Sequence, residues 1–172
     1  MRRPERPFDA DRPMTAFAIR AVTTAAELDE VRRLVMAHAD ARATTPGVEY
    51  VRADAAGLPG PYVPPLGGLW VAARGSTGLG CVALRPLGPD AAEVKRVFVA
   101  AEARGQGIAR ALMLRVIDEA RARGYRMLRL GTLDDMHAAQ RLYQSLGFTA
   151  IERYRADELI DTRFYQLDLR RG

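Results

Sequence analysis

The stretch EARGQGIARALM, residues 102–113, decides the fold assignment of this chain. Gly105 and Gly107 stand directly before a run whose apolar residues recur at helical spacing. The first backbone N–H groups of a helix have no partner within it, and the helix dipole adds partial positive charge there. Glycines remove the side chains that would keep a bulky anion away from those groups. The stretch therefore predicts a phosphate or pyrophosphate site, and the alternative is that the glycines only form a tight turn.

Two common phosphate-binding classes are excluded by particular residues. A P-loop requires Gly-Lys-Ser or Gly-Lys-Thr, and the sequence contains neither. A dinucleotide fingerprint requires glycine at the position that Arg110 occupies. It also requires an acidic residue at the end of the next strand, which here ends at Gly131 and Thr132. The anion that this loop binds must belong to another kind of ligand.

Strands and helices alternate along the rest of the chain, which predicts one mixed α/β domain over residues 17–172. Thr24 and Glu27 have capping-box spacing at the start of the first helix. Strands are predicted at 17–22, 68–74, 78–85, 92–100, 126–132, 149–154 and 164–169, and helices at 24–41, from the glycine loop to about 123, and at 136–146. Residues 44–67, rich in Gly and Pro, are predicted to be a long irregular loop. Residues 1–16 are predicted to be a disordered tail, in which Met14 is an alternative start to Met1.

Composition narrows the function classes. The net charge is +5, but Lys95 is the only lysine and the arginines are spread along the chain without aromatic interleaving. We therefore expect no nucleic-acid partner. No apolar run reaches the length of a membrane span and the N-terminus has no apolar signal core, so we expect no membrane association and a cytoplasmic location. Cys81 is the single cysteine, which argues against a disulfide framework or a zinc cluster, and we expect no metal.

The loop fits the pattern Arg/Gln-x-x-Gly-x-Gly/Ala, which Arg104, Gly107 and Ala109 fill. This pattern resembles the acetyl-CoA signature of the GNAT superfamily of N-acetyltransferases. The preceding EVKRVFV (93–99) and the downstream AAQRLYQSLGF (138–148) are similar to the family in order and spacing. The stretch 132–148 resembles a bacterial subgroup whose substrates are mostly unassigned. The resemblance implies a single, mixed, mostly antiparallel sheet of six to seven strands, flanked by helices and splayed between the fourth and fifth strands.

The resemblance also implies a binding site for acetyl-CoA as the acyl donor. In the family, the main chain of the splayed strand pairs with the pantetheine arm, and the amides of the following loop bind the pyrophosphate. The matching positions are Val97, Phe98, Val99, Arg104, Gly105, Gln106, Gly107, Ile108, Ala109 and Arg110. Met136 departs from the family, because many relatives have there, three residues before Ala139, an asparagine that contacts the cofactor. Both positions are still expected beside the cofactor.

Two residues are candidates for proton transfer. Tyr143 matches the tyrosine that lies near the thioester sulfur in many relatives, and a phenol with a pKa of about 10 stays protonated at neutral pH. Its alternative role is packing. Glu93 matches the glutamate base of some relatives, which would take a proton from an acceptor amine whose pKa is about 10.4. Its alternative role is a structural ion pair with Arg96 or Lys95.

Other residues near the expected cleft have less specific roles. Asp134 and Asp135 are predicted to cap a helix, and Cys81 to be a buried, inert thiol. His137 has two alternatives, a place at the cleft or a place at the surface. The acceptor pocket is expected to be walled by the segment 58–68 with Tyr62, by His38 to Arg42, and by the strands around Tyr154 and Arg155. Arg155 or Arg52 could hold an acceptor carboxylate.

The function that follows is an N-acetyltransferase that moves an acetyl group to the primary amine of a small molecule or peptide. The resemblance implies direct attack of the amine in a ternary complex. A protein acetyltransferase acting on a lysine or an N-terminus is one alternative, and a non-catalytic acyl-CoA-binding module is another. The sequence leaves open whether the chain forms a homodimer.

Overall fold

The computed structural model describes residues 16–156 and 161–170, which form one seven-stranded sheet with four α-helices. The strands are β1 Ala18–Ala21, β2 Gly68–Arg74, β3 Thr77–Pro86, β4 Ala91–Val99, β5 Met127–Leu133, β6 Thr149–Ile151 and β7 Thr162–Asp168. The helices are α1 Ala25–Ala41, α2 Val48–Ala56, α3 Ile108–Ala122 and α4 His137–Ser145, with a 3₁₀ turn at Ala101–Ala103. Of the predicted disordered tail, residues 1–15 lie outside the described residues.

Local sequence signals explain several element boundaries. The Thr24 side chain accepts from the Glu27 amide at the start of α1, and the Glu27 carboxylate accepts from the Thr24 amide, so the predicted capping box is confirmed. Gly124 ends α3 with φ of 83°, a left-handed conformation that glycine adopts without strain. The β2–β3 hairpin turns at Gly75, where φ is 60°.

Two boundaries differ from the prediction. Residues 44–67 are not irregular throughout, because they contain the nine-residue helix α2, whose Ala55 is buried and whose Val51 packs against the core. Gly and Pro flank the helix on both sides and obscure its short apolar pattern. Strand β6 ends at Ile151 instead of reaching Tyr154. Because it contains α2, the connection over residues 44–67 is a structured part of the domain.

The sheet order is β1-β2-β3-β4-β5-β7-β6, antiparallel except between β4 and β5. The parallel pairing of β4 and β5 runs over Ala91–Glu93 and Met127–Arg129 in the described residues. Beyond Glu93 the two strands diverge, so one edge of β4 faces a gap in the middle of the sheet. This geometry confirms the predicted splay between the fourth and fifth strands.

The core lies on either side of this sheet's centre. Helices α1 and α3 both pack on β3 and β4. The buried face of α3 recurs at helical spacing and consists of Ile108, Leu112, Met113, Val116, Ile117 and Ala120, and Ala109 is only partly buried. Among residues 16–156 and 161–170, we find no helix with the length and apolar character of a membrane span.

Candidate active site

The gap between β4 and β5 opens into a cavity of about 370 Å³. Its walls are residues 94–98 of β4, residues 130–133 of β5, the C-terminal half of α1 with its C-cap Arg42, residues 45–48, 50 and 51, and Met136, Tyr143 and Thr162. Because parallel strands that separate leave their inner main chain unpaired, the cavity presents backbone donors and acceptors along β4. A ligand with amide groups could pair with this edge as an added strand.

The glycine loop lies at the start of α3. Gly105 and Gly107 have φ of 75° and 77°, and a Cβ atom added to either would meet nothing within 4 Å. Their left-handed backbone is one that non-glycine side chains would strain. Both glycines are exposed. The space above the loop is therefore open to a large ligand.

The amide groups of the loop indicate a binding site for an anion. Within the described residues, the N–H groups of residues 105–110 donate to no acceptor. Arg104 and Arg110 are exposed beside them, Arg104 Nε donates to the Val99 carbonyl at 3.4 Å, and Arg110 Nη1 donates to Ser145 Oγ at 3.1 Å. Gln106 is held by Arg74, whose Nη2 donates to its Oε1 at 3.1 Å. Unpaired helix amides flanked by two guanidinium groups form a site suited to a diphosphate.

A β-bulge shapes the wall of the cavity on β4. The register shifts between Cys81 and Ala83, which pair with Phe98 and Lys95, so β4 contains one extra residue there. Arg96, within the bulge, has φ of 56°, an uncommon left-handed conformation for a non-glycine residue. The alternation of the strand breaks at the adjacent charged pair Lys95 and Arg96, which is the sequence signal that could have predicted the bulge.

Helix α2 holds the bulge in place. Arg96 Nε donates to Asp54 Oδ2 at 2.6 Å, and the Arg96 guanidinium lies over the Tyr50 ring at 5.2 Å. The two charged side chains are only 9% and 14% exposed. The Tyr62 hydroxyl also donates to the Asp54 carboxylate, at 3.2 Å. The helix that the sequence did not predict thus fixes the backbone that faces the cavity.

Tyr143, the acid candidate of the sequence analysis, lies in the cavity wall. Its ring packs against Phe148 and Tyr165, with ring centroids 6.0 and 6.3 Å away. Burial raises the pKa of Tyr143 above its ordinary value. Its hydroxyl donates to no acceptor within the described residues, so it is available to a ligand. A protonated phenol at this place can donate a proton to a leaving group.

Glu93, the base expected from the resemblance, is placed differently. It is buried, with 1% of its side chain exposed, and the cavity wall begins at the next residue, Val94. Its Oε1 accepts from the Tyr154 hydroxyl at 2.8 Å, and its Oε2 accepts from Arg85 Nε at 2.7 Å and Arg155 Nη1 at 3.0 Å. Both oxygens are committed to these partners. The geometry argues for a structural ion pair and against a base, and the partners are Arg85 and Arg155 instead of Arg96 or Lys95.

The remaining cofactor candidates lie along the same path. Val97 and Phe98 line the cavity, whereas Val99 pairs with Gly80 and is partly buried next to the loop. Met136 lines the cavity at the start of α4, and Ala139 packs against the core one turn later. Ile108 is buried at the first position of α3. The side chain of Met136 offers a bound ligand an apolar contact and no hydrogen-bond donor, unlike the asparagine that many relatives have there.

The two aspartates near the cleft do not cap α4. Met136 is the N-cap residue, and no side-chain hydrogen bond caps the helix. Asp134 instead pairs with Arg163, and Asp135 pairs with Arg42 at 3.1 Å. Each arginine lies on a different element, so the aspartates join elements instead of ending a helix. His137 is exposed and is not among the residues that line the cavity, which corresponds to the surface alternative.

The predicted acceptor walls are only partly found at the cavity. His38 and Arg42 line it, but Tyr62 lies against a second, smaller cavity between α1 and β2. Arg155 is bound to Glu93, and Arg52 pairs with Asp40 at 2.9 Å, so neither arginine is placed to hold an acceptor. Residues 45–51 and the cationic side chains of Lys95 and Arg96 form the wall instead. The predicted walls differ from the observed ones because helix α2, which the sequence analysis did not predict, brings the segment before and within it to the cavity.

Cys81 is buried on β3, and its Sγ donates to the Arg96 carbonyl at 3.4 Å. Burial raises the pKa of the Cys81 thiol to about 12. At neutral pH the thiolate is negligible, which confirms the prediction of an inert thiol.

Comparisons with known proteins agree with this geometry. Residues 26–148 match the model of the acetyltransferase (GNAT) family. An uncharacterized N-acetyltransferase of Schizosaccharomyces pombe is 32% identical over 155 residues, which are 89% of this chain and 95% of that protein. The N-acetylaspartate synthetase of Danio rerio is 38% identical over 100 residues, 57% of this chain and 36% of that protein, so the chain spans about a third of that relative.

The fold has a solved counterpart with the cofactor in place. A GNAT family acetyltransferase of Elizabethkingia anophelis with acetyl-CoA bound superposes with a TM-score of 0.64 at 19% identity, over 88% of this chain and 97% of that one. The chain belongs to the GNAT family of acetyltransferases. The bacterial subgroup expected from residues 132–148 is not confirmed, since the relatives include fungal and vertebrate proteins.

Proposed function

We propose that the chain transfers an acetyl group from acetyl-CoA to the primary amine of a small molecule or peptide. The observation that carries the proposal is the presence, on one side of the splayed sheet, of the unpaired amides of residues 105–110 after β4, the edge of β4 that β5 leaves unpaired, and Tyr143 in the cavity wall. The diphosphate would bind the loop, with Arg104 and Arg110 adding charge, and the pantetheine amides would pair with Val97 to Val99. The thioester would then lie in the cavity.

The reaction within this site is direct attack in a ternary complex. The amine nitrogen attacks the thioester carbonyl carbon, and the C–S bond of the tetrahedral intermediate breaks as Tyr143 gives its proton to the departing sulfur. Cys81 has no part, because its thiol is buried away from this cavity on β3. The acetyl group therefore passes to the acceptor without an acyl-enzyme.

The charge of the cavity favours an acceptor that carries a carboxylate. Arg42 and Arg96 line the cavity together with Lys95, and the aspartates that pair with the two arginines, Asp135 and Asp54, lie outside the lining. Since the described lining residues include no Asp or Glu, the lining offers N–H donors to a carboxylate and no carboxylate to a polycation. The name of the zebrafish relative, an N-acetylaspartate synthetase, agrees with an amino-acid acceptor. A cytoplasmic location and a homodimer stay predictions.

The proposal is tested by following CoA release from acetyl-CoA with a panel of primary amines, with the acetylated product identified by mass spectrometry. The panel pairs each amino acid with its amide and includes a polyamine, lysine peptides and protein substrates. We expect equimolar CoA and N-acetyl product, with the acid preferred to its amide by roughly tenfold, the effect of one partly screened charge. Product from proteins alone would support a protein acetyltransferase. Acetyl-CoA binding without product from any acceptor would support the non-catalytic module and contradict the proposal.

A further inference from the structure

With Glu93 committed to its ion pairs, the cavity needs another group to take the proton of the acceptor. An amine with a pKa of about 10.4 is less than one part in a thousand neutral at pH 7, so a site that could use only the neutral form would react slowly. The described residues that line the cavity contain a single side chain able to accept a proton near neutral pH, His38. It lies on the last turn of α1.

The surroundings of His38 suit this task. Its ring is partly buried and packs on Phe98 of β4, with 5.0 Å between the ring centroids. It therefore lies against the strand whose free edge borders the gap. Neither ring nitrogen has a hydrogen-bond partner among residues 16–156 and 161–170, so no protein group within that part of the chain occupies the lone pair. A structural histidine in a core ordinarily has such a partner.

The charged groups around His38 come from several parts of the fold. Arg42 is the C-cap residue of α1 and is paired with Asp135, and Arg96 lies on β4 and is paired with Asp54 of α2. The groups that face the same cavity or act on the ring are Arg42, Lys95, Arg96, Arg104, Tyr50 and Tyr143. Burial lowers the pKa of His38 below its ordinary value, and the charges of the three arginines lower it further. The imidazole is consequently neutral, and able to accept a proton, at pH 7.

We propose that His38 is the general base of the reaction, an assignment that rests on the proposed function. A ring nitrogen of His38 takes one proton from the acceptor ammonium, and the resulting amine forms the C–N bond to the acetyl carbon. The C–S bond then breaks, and Tyr143 protonates the sulfur to give the CoA thiol. The second proton of the former amine returns to the Tyr143 phenolate, and His38 releases its proton to solvent. The balance is one proton released for each amide formed.

The base is tested with the His38→Gln variant, and the matched control is His137→Gln, since His137 is the other histidine and is exposed outside the cavity. Both are assayed for CoA release with the best acceptor of the panel, as log kcat/KM against pH. The wild type can use the protonated acceptor, so its kcat/KM should fall only at acid pH, where His38 is protonated, and stay level from about pH 7 to 9.

The His38→Gln variant should behave differently. Without a base it depends on the neutral amine, so its log kcat/KM should rise with unit slope up to the pKa of the acceptor. The loss should be roughly 100-fold at pH 7 and shrink toward pH 9. The affinity for acetyl-CoA, measured by calorimetry, should stay within about threefold, and His137→Gln should match the wild type.

Three outcomes would overturn the proposal in distinguishable ways. If His38→Gln keeps the wild-type activity and its log kcat/KM stays level from about pH 7 to 9, His38 is not the base. The proposed function would then still stand. A loss of activity that is the same at all pH values and comes with weaker acetyl-CoA binding would assign His38 a packing role against Phe98. Absence of CoA release from the wild type with every acceptor would end the proposed function itself, and the base with it.

Discussion

Tyr143 is the residue through which acid catalysis should pass. Burial raises its pKa, so the phenol keeps its proton throughout the neutral range and up to at least about pH 10. Within the described residues the hydroxyl has no hydrogen-bond partner, so under the proposed function its proton would be available to the sulfur. Its position in the cavity wall and its neighbour Phe148 belong to LYQSLGF, whereas the burial that tunes it also depends on Tyr165 of β7, which a local pattern does not reveal.

Replacing this tyrosine should remove the acid but keep the ring. We expect Tyr143→Phe to lower kcat by about 100-fold or more while the affinity for acetyl-CoA changes little, since only the proton donor is lost. The matched control is Tyr165→Phe, a buried neighbour whose hydroxyl is 3.5 Å from Gln140 Oε1 and does not line the cavity. Steady-state CoA release measures both. Full kcat in Tyr143→Phe would contradict the acid role.

At the scale of elements, α2 and the β4 bulge form one unit. Arg96 is nearly buried, and its Nε donates to Asp54, so the carboxylate on α2 balances the charge of the guanidinium. The backbone of Arg96 is in an unfavourable left-handed conformation. Breaking one partner of a buried ion pair leaves the other charge uncompensated, which typically costs several kcal/mol. The bulge is therefore expected to depend on the helix.

We expect Asp54→Asn to lower the free energy of unfolding by about 3 kcal/mol. For a chain of this size that corresponds to a fall in Tm of roughly 6–12 °C, measured by calorimetry. Asp118→Asn is the control, because Asp118 is 74% exposed and 3.6 Å from Arg121, and exposed pairs contribute about 0–1 kcal/mol. Equal stability of the two variants would show that α2 does not hold the bulge.

Some helices and strands could be predicted from the sequence, and others could not. Strand β2 was predicted at its observed bounds, and α3 with its glycine loop nearly so, because their periods and glycine signals are local. Helix α2 and the environment of Glu93 could not be predicted. The partners of Glu93 lie 8 and 62 residues away, and α2 is nine residues of weak periodicity between prolines and glycines. Such contacts arise from tertiary packing, which a local pattern does not encode.

At the scale of the whole molecule, part of the net charge of +5 can be assigned to particular sites. Arginines lie at both ends of the path that the cofactor would follow, with Arg104 and Arg110 at the diphosphate loop and Arg42 and Arg96 at the cavity. Under the proposed function, Arg104 and Arg110 would attract the anionic donor, while Arg42 and Arg96 are each balanced by an aspartate. Part of the positive charge would then serve a small-molecule site.

The most direct test of this account is a titration of the ¹⁵N-labelled chain with acetyl-CoA, followed by the amide resonances of residues 105–110. We expect saturable shifts that are largest in this loop and along Val97 to Val99. We also expect affinity to fall about 10- to 100-fold in Arg104→Glu/Arg110→Glu, through repulsion of the diphosphate, but not in the control Arg121→Glu at the far end of α3. Unchanged loop resonances at saturating acetyl-CoA, or equal affinity in the double variant and the control, would contradict it.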